Sequence, residues 1–152
     1  MMSRLGDDRG RDILREHERL TRGALAAHGG SEVKTMGDGF LASFGSPQKA
    51  LDCATELQRT FAEGIGGQPL RVRIGVNAGE PIAEDDDLFG ASVIAAARIA
   101  SRAEGGQVLV SNVVRELVTG KGFLFADTGE HVLRGFEDPV RIWELRWSKP
   151  PD

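Results

Sequence analysis

The sequence predicts an α+β sandwich with a ferredoxin-like core, its helices covering one face of a sheet. Three observations carry that expectation. Stretches of helical apolar periodicity alternate with short period-two stretches, and the latter come both as a hairpin and singly. A chain of 152 residues, 40% hydrophobic and 28% charged, has the size and composition of one domain that buries a real core. No internal repeat, linker or low-complexity segment divides it.

The first helix is expected from near Asp8 to His28, with Ile13, Leu14, His17, Leu20, Ala24, Leu25 and His28 on one stripe and Gly29-Gly30 as its stop. A hairpin covers Glu32 to Phe44. Ser46-Pro47 then opens a second helix, Ser as N-cap and Pro in the first turn, whose buried face is Ala50, Leu51, Ala54, Leu57, Gln58 and Phe61, and which ends at Gly64 to Gly67. Arg71 to Val76 alternates as a strand. Glu80 to Asp87 reads as an acidic loop, Phe89 to Ala103 as a helix rich in small residues that permit close packing, and Gln107 to Val110 as a short strand. A brief helix from Asn112 and closing strands at Phe123 to Thr128 and Val140 to Trp147 complete the order.

Charge and composition exclude several functions. A net charge of −4, with basic residues scattered, disfavours a nucleic-acid phosphate track, though a mononucleotide site needs only a few local cations. No apolar run approaches the roughly 18 residues that span a bilayer, and nothing reads as a signal peptide. A single cysteine, Cys53, sits in a helical pattern, which suits a reducing, cytoplasmic location and a buried structural role. His17, His28 and His131 lack metal-ligand spacing, and Trp143 and Trp147 suit edge-strand and surface packing.

The run from Val33 to Phe44 is the most informative stretch. Gly37-Asp38-Gly39 between alternating apolar residues marks a hairpin turn centred on either Gly37-Asp38 or Asp38-Gly39. That sets the Asp38 carboxylate on a rigid tip, where it serves either as an ordinary turn residue or as an oxygen ligand for a hard cation such as Mg²⁺.

The longer pattern is specific. Gly29-Gly30 followed by Glu32-Val33-Lys34-Thr35-Met36-Gly37-Asp38-Gly39-Phe40 resembles the signature of class III nucleotidyl cyclases, the adenylate and guanylate cyclase catalytic domains, in their bacterial form. Further matches follow in order: Leu70 to Glu80 resembles the family's central strand, Asp87-Leu88-Phe89-Gly90 through Ala96-Ala97-Arg98-Ile99 its substrate helix, Gly105 to Ser111 the next strand, and Leu133-Arg134-Gly135 its Leu-Lys-Gly element. The resemblance spans about residues 3 to 147, so the whole chain, 1–152, is expected to be one cyclase catalytic domain of the βαββαβ type. No Phe-x-Asp-Ile-x-x-Ser/Thr strand, the carrier of the family's first metal aspartate, occurs in the 152 residues, and Met1 to Asp7 resembles the segment that follows it.

The resemblance implies cyclisation of ATP to cyclic AMP and pyrophosphate, assisted by two Mg²⁺ or Mn²⁺ ions, at sites shared between the subunits of a homodimer. Asp38 matches the second metal aspartate. Lys34 and Asp87 match the pair that reads adenine, the lysine at a ring nitrogen and the carboxylate at the amino group. Arg73 matches the strand arginine at the pyrophosphate end, Arg98 the helix arginine that meets charge developing on the α-phosphate, and Arg134 a triphosphate contact where the family usually has lysine. Ile94 departs from the pattern, for the family commonly has an asparagine there that orients the ribose. The other reading, in a different functional class, is a catalytically degenerate cyclase-like domain that binds nucleotide or a partner and serves in regulation or dimerisation.

Overall fold

The computed structural model describes residues 4–36, 39–63, 71–79, 82–84, 87–89 and 91–147. Four helices and eight strands follow in the order α1 (Arg4–Ala27), β1 (Ser31–Met36), β2 (Gly39–Ser43), α2 (Pro47–Glu63), β3 (Ile74–Val76), β4 (Ile82–Glu84), β5 (Asp87–Phe89), α3 (Ala91–Arg102), β6 (Val108–Ser111), α4 (Asn112–Leu117), β7 (Phe125–His131) and β8 (Val140–Leu145) among the described residues. The α+β class is as expected.

The centre is a four-stranded sheet in the order β3-β6-β8-β7. β3 and β6 pair in parallel, while β8 runs antiparallel to both β6 and β7. A parallel pair requires a crossover, and here β4, β5 and α3 provide it. Along β6 the side chains alternate between two cores. Val108 and Val110 pack with Leu51 and Ala54 of α2, Val114 and Val118 at α4, and Leu145 of β8. Leu109 packs the other way, with Ile99 and Ala103 at α3, Leu133 and Ile142. Helices therefore cover both faces of this sheet, which corrects the expectation of one covered face; the unbroken apolar run Val108-Leu109-Val110 is the sequence sign of a strand buried on both sides.

β3 is shorter than the expected Arg71 to Val76. Beside it Gln58 of α2, 1% exposed, donates from Nε2 to the carbonyls of Val72 (2.9 Å) and Gln107 (3.2 Å), which also accept from the backbone N–H groups of Gly106 and Ile74. A buried amide of this kind has to be satisfied, and this one is. The acidic loop also differs from expectation: Ile82–Glu84 and Asp87–Phe89 form an antiparallel hairpin closing on the Glu84–Asp87 pair. Helix α3 accordingly begins at Ala91 rather than Phe89. Trp143 lies on β8, an interior strand, not at an edge; its Nε1 donates to Asn112 Oδ1 (2.9 Å) and the Arg115 guanidinium sits 4.2 Å over its ring.

The β1–β2 hairpin stands on α1 and α2 rather than in the central sheet. Ala42 and Phe44 pack against Ala24 and Leu25 of α1 and Cys53 of α2. Arg22 Nε donates to Glu32 Oε1 at 2.8 Å, pinning β1 to α1. The ladder skips Val33, a bulge between the Glu32–Ala42 and Lys34–Leu41 pairs, and closes on Met36–Gly39. Gly37 and Asp38, on which the turn expectation rests, lie outside the described residues. Pro47 opens α2 under a Ser46 cap, whose Oγ accepts from Lys49 N at 3.1 Å.

Candidate active site

Arg98 is set by a close backbone approach at the molecule's centre. α3 crosses β3 at Gly75, where a Cβ would lie 2.4 Å from Ala100 N and 2.7 Å from Ala96 O, so only glycine lets the helix down onto the strand. Ile99, fully buried, anchors the inner face of α3, and Arg98 beside it is half-buried. The Nε of Arg98 is buried without a hydrogen-bond partner among the described residues. A buried donor left unpaired costs roughly 1–3 kcal/mol, and charged groups more, so such a nitrogen points to an acceptor that arrives from outside the chain.

Arg134 is set by a turn. Leu133, 1% exposed, is locked in the core under α3, and Phe136 N donates to Leu133 O at 3.0 Å across Arg134 and Gly135. Gly135 has φ +88°, the left-handed geometry that a type II turn demands of its third residue. The Leu-Arg-Gly sequence thus has a mechanical reading: leucine anchors, arginine projects, glycine permits the bend.

These two arginines meet. Arg98, Ser101, Arg102, Leu133 and Arg134 line one concavity of about 260 Å³. Among the described residues three cations and no carboxylate line it, on a chain whose net charge is −4. Ser101 turns its hydroxyl to its own helix, donating to Ala97 O at 3.1 Å. Arg102 and Ser101 escape the sequence reading; the signal available is spacing, since Arg98 and Arg102 are four apart and share a helix face.

The remaining candidates are placed elsewhere. Arg73 is exposed on the segment before β3 and does not line this concavity. Lys34 is placed by its backbone on β1 and Asp87 as the first residue of β5, and β1 lies against β5, so the strands that carry them are neighbours. Asp38 lies outside the described residues. Ile94, one turn before Arg98 on α3, is 49% exposed, an apolar side chain offered to solvent. Among the described residues no group of three or more His, Cys, Asp or Glu could hold a metal ion. His17 stacks on Phe61 at 4.7 Å, His28 Nε2 meets Glu56 Oε1 at 3.0 Å, and His131 Nε2 meets Thr128 Oγ1 at 3.1 Å. Burial pushes the Cys53 thiol up to about 11, with the Glu56 carboxylate adding to it, so this sulfur stays protonated and unreactive at neutral pH.

Residues 8–146 match the family model of the adenylate and guanylate cyclase catalytic domain. The chain belongs to this family. A putative adenylate cyclase of Rhizobium meliloti is 40% identical over 129 residues, which cover 82% of this chain and 22% of that protein. The chain therefore spans about a fifth of that relative's length. Among solved structures, an adenylate/guanylate cyclase/hydrolase from Silicibacter pomeroyi superposes with TM-score 0.80 at 33% identity, covering 95% of this chain and 90% of that one. An adenylate cyclase of Trypanosoma brucei, solved in its monomeric state, superposes with TM-score 0.82 at 26% identity, covering 90% and 78%. Both the class III family and its α+β fold are thereby established for this cyclase domain. No helix among the described residues is long and apolar enough to cross a membrane.

Proposed function

We propose that this cyclase domain is an adenylate cyclase, acting in the cytoplasm as a homodimer and converting ATP to 3′,5′-cyclic AMP and pyrophosphate. The observation that carries the reading is the concavity shared by Arg98 and Arg134, cationic, free of carboxylates among the described residues and lined by an arginine whose Nε has no partner there. In the reaction the ribose 3′-hydroxyl gives its proton to solvent as its oxygen attacks the α-phosphorus in line, the bond from that phosphorus to the bridging oxygen breaks, and pyrophosphate leaves with the negative charge. Charge grows on the α-phosphate oxygens and on the leaving group as this happens. The guanidinium of Arg98 answers the first and Arg134 the second, and a planar multidentate donor suits both better than a point charge would. Preorganised donors of this kind typically supply a few kcal/mol of transition-state stabilisation each, about 2.7–4 kcal/mol where one has been removed.

Adenine rather than guanine is assigned from Lys34 and Asp87. A lysine donates to a ring nitrogen and a carboxylate accepts from an amino group, the pattern of the adenine edge; guanine presents the reverse. The name of the Rhizobium relative, a putative adenylate cyclase, supports the same choice. Arg73 is assigned to the pyrophosphate end. In the shared-site arrangement of this family, Asp38 of one subunit and Lys34, Asp87 and Arg98 of the other serve one nucleotide. Mg²⁺ or Mn²⁺ would be held with Asp38 and would supply positive charge to the phosphate oxygens; among the described residues no group of three or more His, Cys, Asp or Glu adds to it.

The test is product formation by the complete protein with Mn²⁺, supplied with ATP or GTP. Cyclic AMP in excess over cyclic GMP, and its loss in a folded Arg98→Ala variant, is the expected result. A folded, dimeric protein that makes no cyclic AMP would refute the assignment.

A further inference from the structure

Two of the three arginines in the concavity have a role above; the third has none. Arg102 closes α3 and donates from Nη2 to Val132 O at 2.5 Å, the carbonyl just before Leu133 and Arg134. A cation in the last turn of a helix is favoured by the helix dipole, and a carbonyl contact adds to that. Those two terms account for an arginine at this position. They do not account for its facing Arg98 and Arg134 across a space with no carboxylate in its lining among the described residues. Three guanidinium groups around one concavity repel one another unless an anion joins them, and each brings a fork of N–H donors, of which Arg102 commits one to Val132.

We propose that Arg102 is a third phosphate-contacting residue, binding the oligophosphate end of the nucleotide, and the pyrophosphate product after it, together with Arg98 and Arg134. The inference rests on the nucleotide reading above and extends it to a residue that reading leaves out. Size agrees with it: about 260 Å³ lies below the roughly 300–1,000 Å³ of sites that enclose a whole drug-sized ligand, so this space takes the phosphate end and leaves the nucleoside outside it. The bond to Val132 ties the Arg102 side chain to the segment that carries Arg134 before any anion arrives.

The experiment is calorimetric titration of the complete protein with inorganic pyrophosphate and, separately, with AMP, which lacks the outer phosphates. Arg102→Gln is expected to weaken pyrophosphate binding by roughly tenfold or more, the scale of a lost hydrogen bond to a charged group, while AMP binding stays within about twofold. Arg102→Lys, which keeps the charge and a donor but not the fork, is expected to recover part of the loss. Pyrophosphate binding unchanged in a folded Arg102→Gln protein overturns the proposal. So does a parallel loss for AMP, which would make Arg102 a structural strut, or the absence of measurable pyrophosphate binding by the unmutated protein. Failure of the cyclase reading gives a different pattern: no cyclic AMP from ATP, with pyrophosphate binding intact and sensitive to Arg102.

Discussion

The two ends of the candidate site are built in opposite ways. The proposed phosphate end is carried by the core: Arg98 rides on a helix pressed against β3 at Gly75, and Arg134 follows a leucine buried between that helix and β8. The proposed base end is carried by two small hairpins, β1–β2 and β4–β5, which touch each other and, among the described residues, pair with no strand of the four-stranded sheet. Charge placement at the first end is thus inseparable from the stability of the domain. At the second end the carriers are short hairpins outside that sheet, where a change of charged side chain is expected to cost the fold little. Under the proposed function, the division would hold transition-state donors rigidly while leaving the base-reading groups free to vary.

That contrast can be broken experimentally, beginning where the effect should be greatest. Asp38→Ala, between the sequences of β1 and β2, should abolish metal-dependent cyclic AMP formation while the thermal midpoint stays close to that of the unmutated protein; retained turnover would remove Asp38 from the metal role. Gly75→Val should act on the other side of the divide. Its side chain would collide with the backbone of α3, and overpacking of this kind typically costs about 1–3 kcal/mol, so Tm should fall by roughly 5–10 °C and pyrophosphate binding should weaken with it. A Gly75→Val protein with unchanged Tm and binding would mean that α3 is not seated by that contact. The mildest change belongs to the base end. Lys34→Glu with Asp87→Cys, which offers a pattern suited to guanine, should cost roughly tenfold in preference for ATP over GTP, the scale of a lost buried hydrogen bond, with Tm unaltered. Loss of Tm comparable to that of Gly75→Val would show that the hairpins are as much a part of the core as the helix is.

Much of this is legible in the residues. Helix α2 follows from Ser46-Pro47 and its apolar spacing, and the first hairpin from Gly-Asp-Gly between alternating apolar residues, because capping and turn geometry are decided within a few residues of chain. The family is legible too, since Lys34, Asp38, Asp87, Arg98 and Arg134 stand in a fixed order, and that order is a property of the sequence. The second hairpin escapes a sequence reading because its strands, Ile82–Glu84 and Asp87–Phe89, are too short to show a period. Other features have no local signal at all. The satisfaction of the buried Gln58 amide depends on carbonyls fourteen and forty-nine residues further along the chain, at Val72 and Gln107. The burial of β6 on both faces depends on α2 and α4 arriving from one side and α3 from the other. By itself the sequence determined which charged groups this cyclase domain possesses and set Lys34 on the first hairpin and Arg98 on the small-residue helix, whereas Asp87 moved from an expected loop to β5 and Arg73 from an expected strand to the segment before β3. Only the tertiary structure decided that Arg98, Arg102 and Arg134 share one space, because residues thirty or more positions apart meet through the packing of Leu133 beneath α3, and no local pattern encodes that distance.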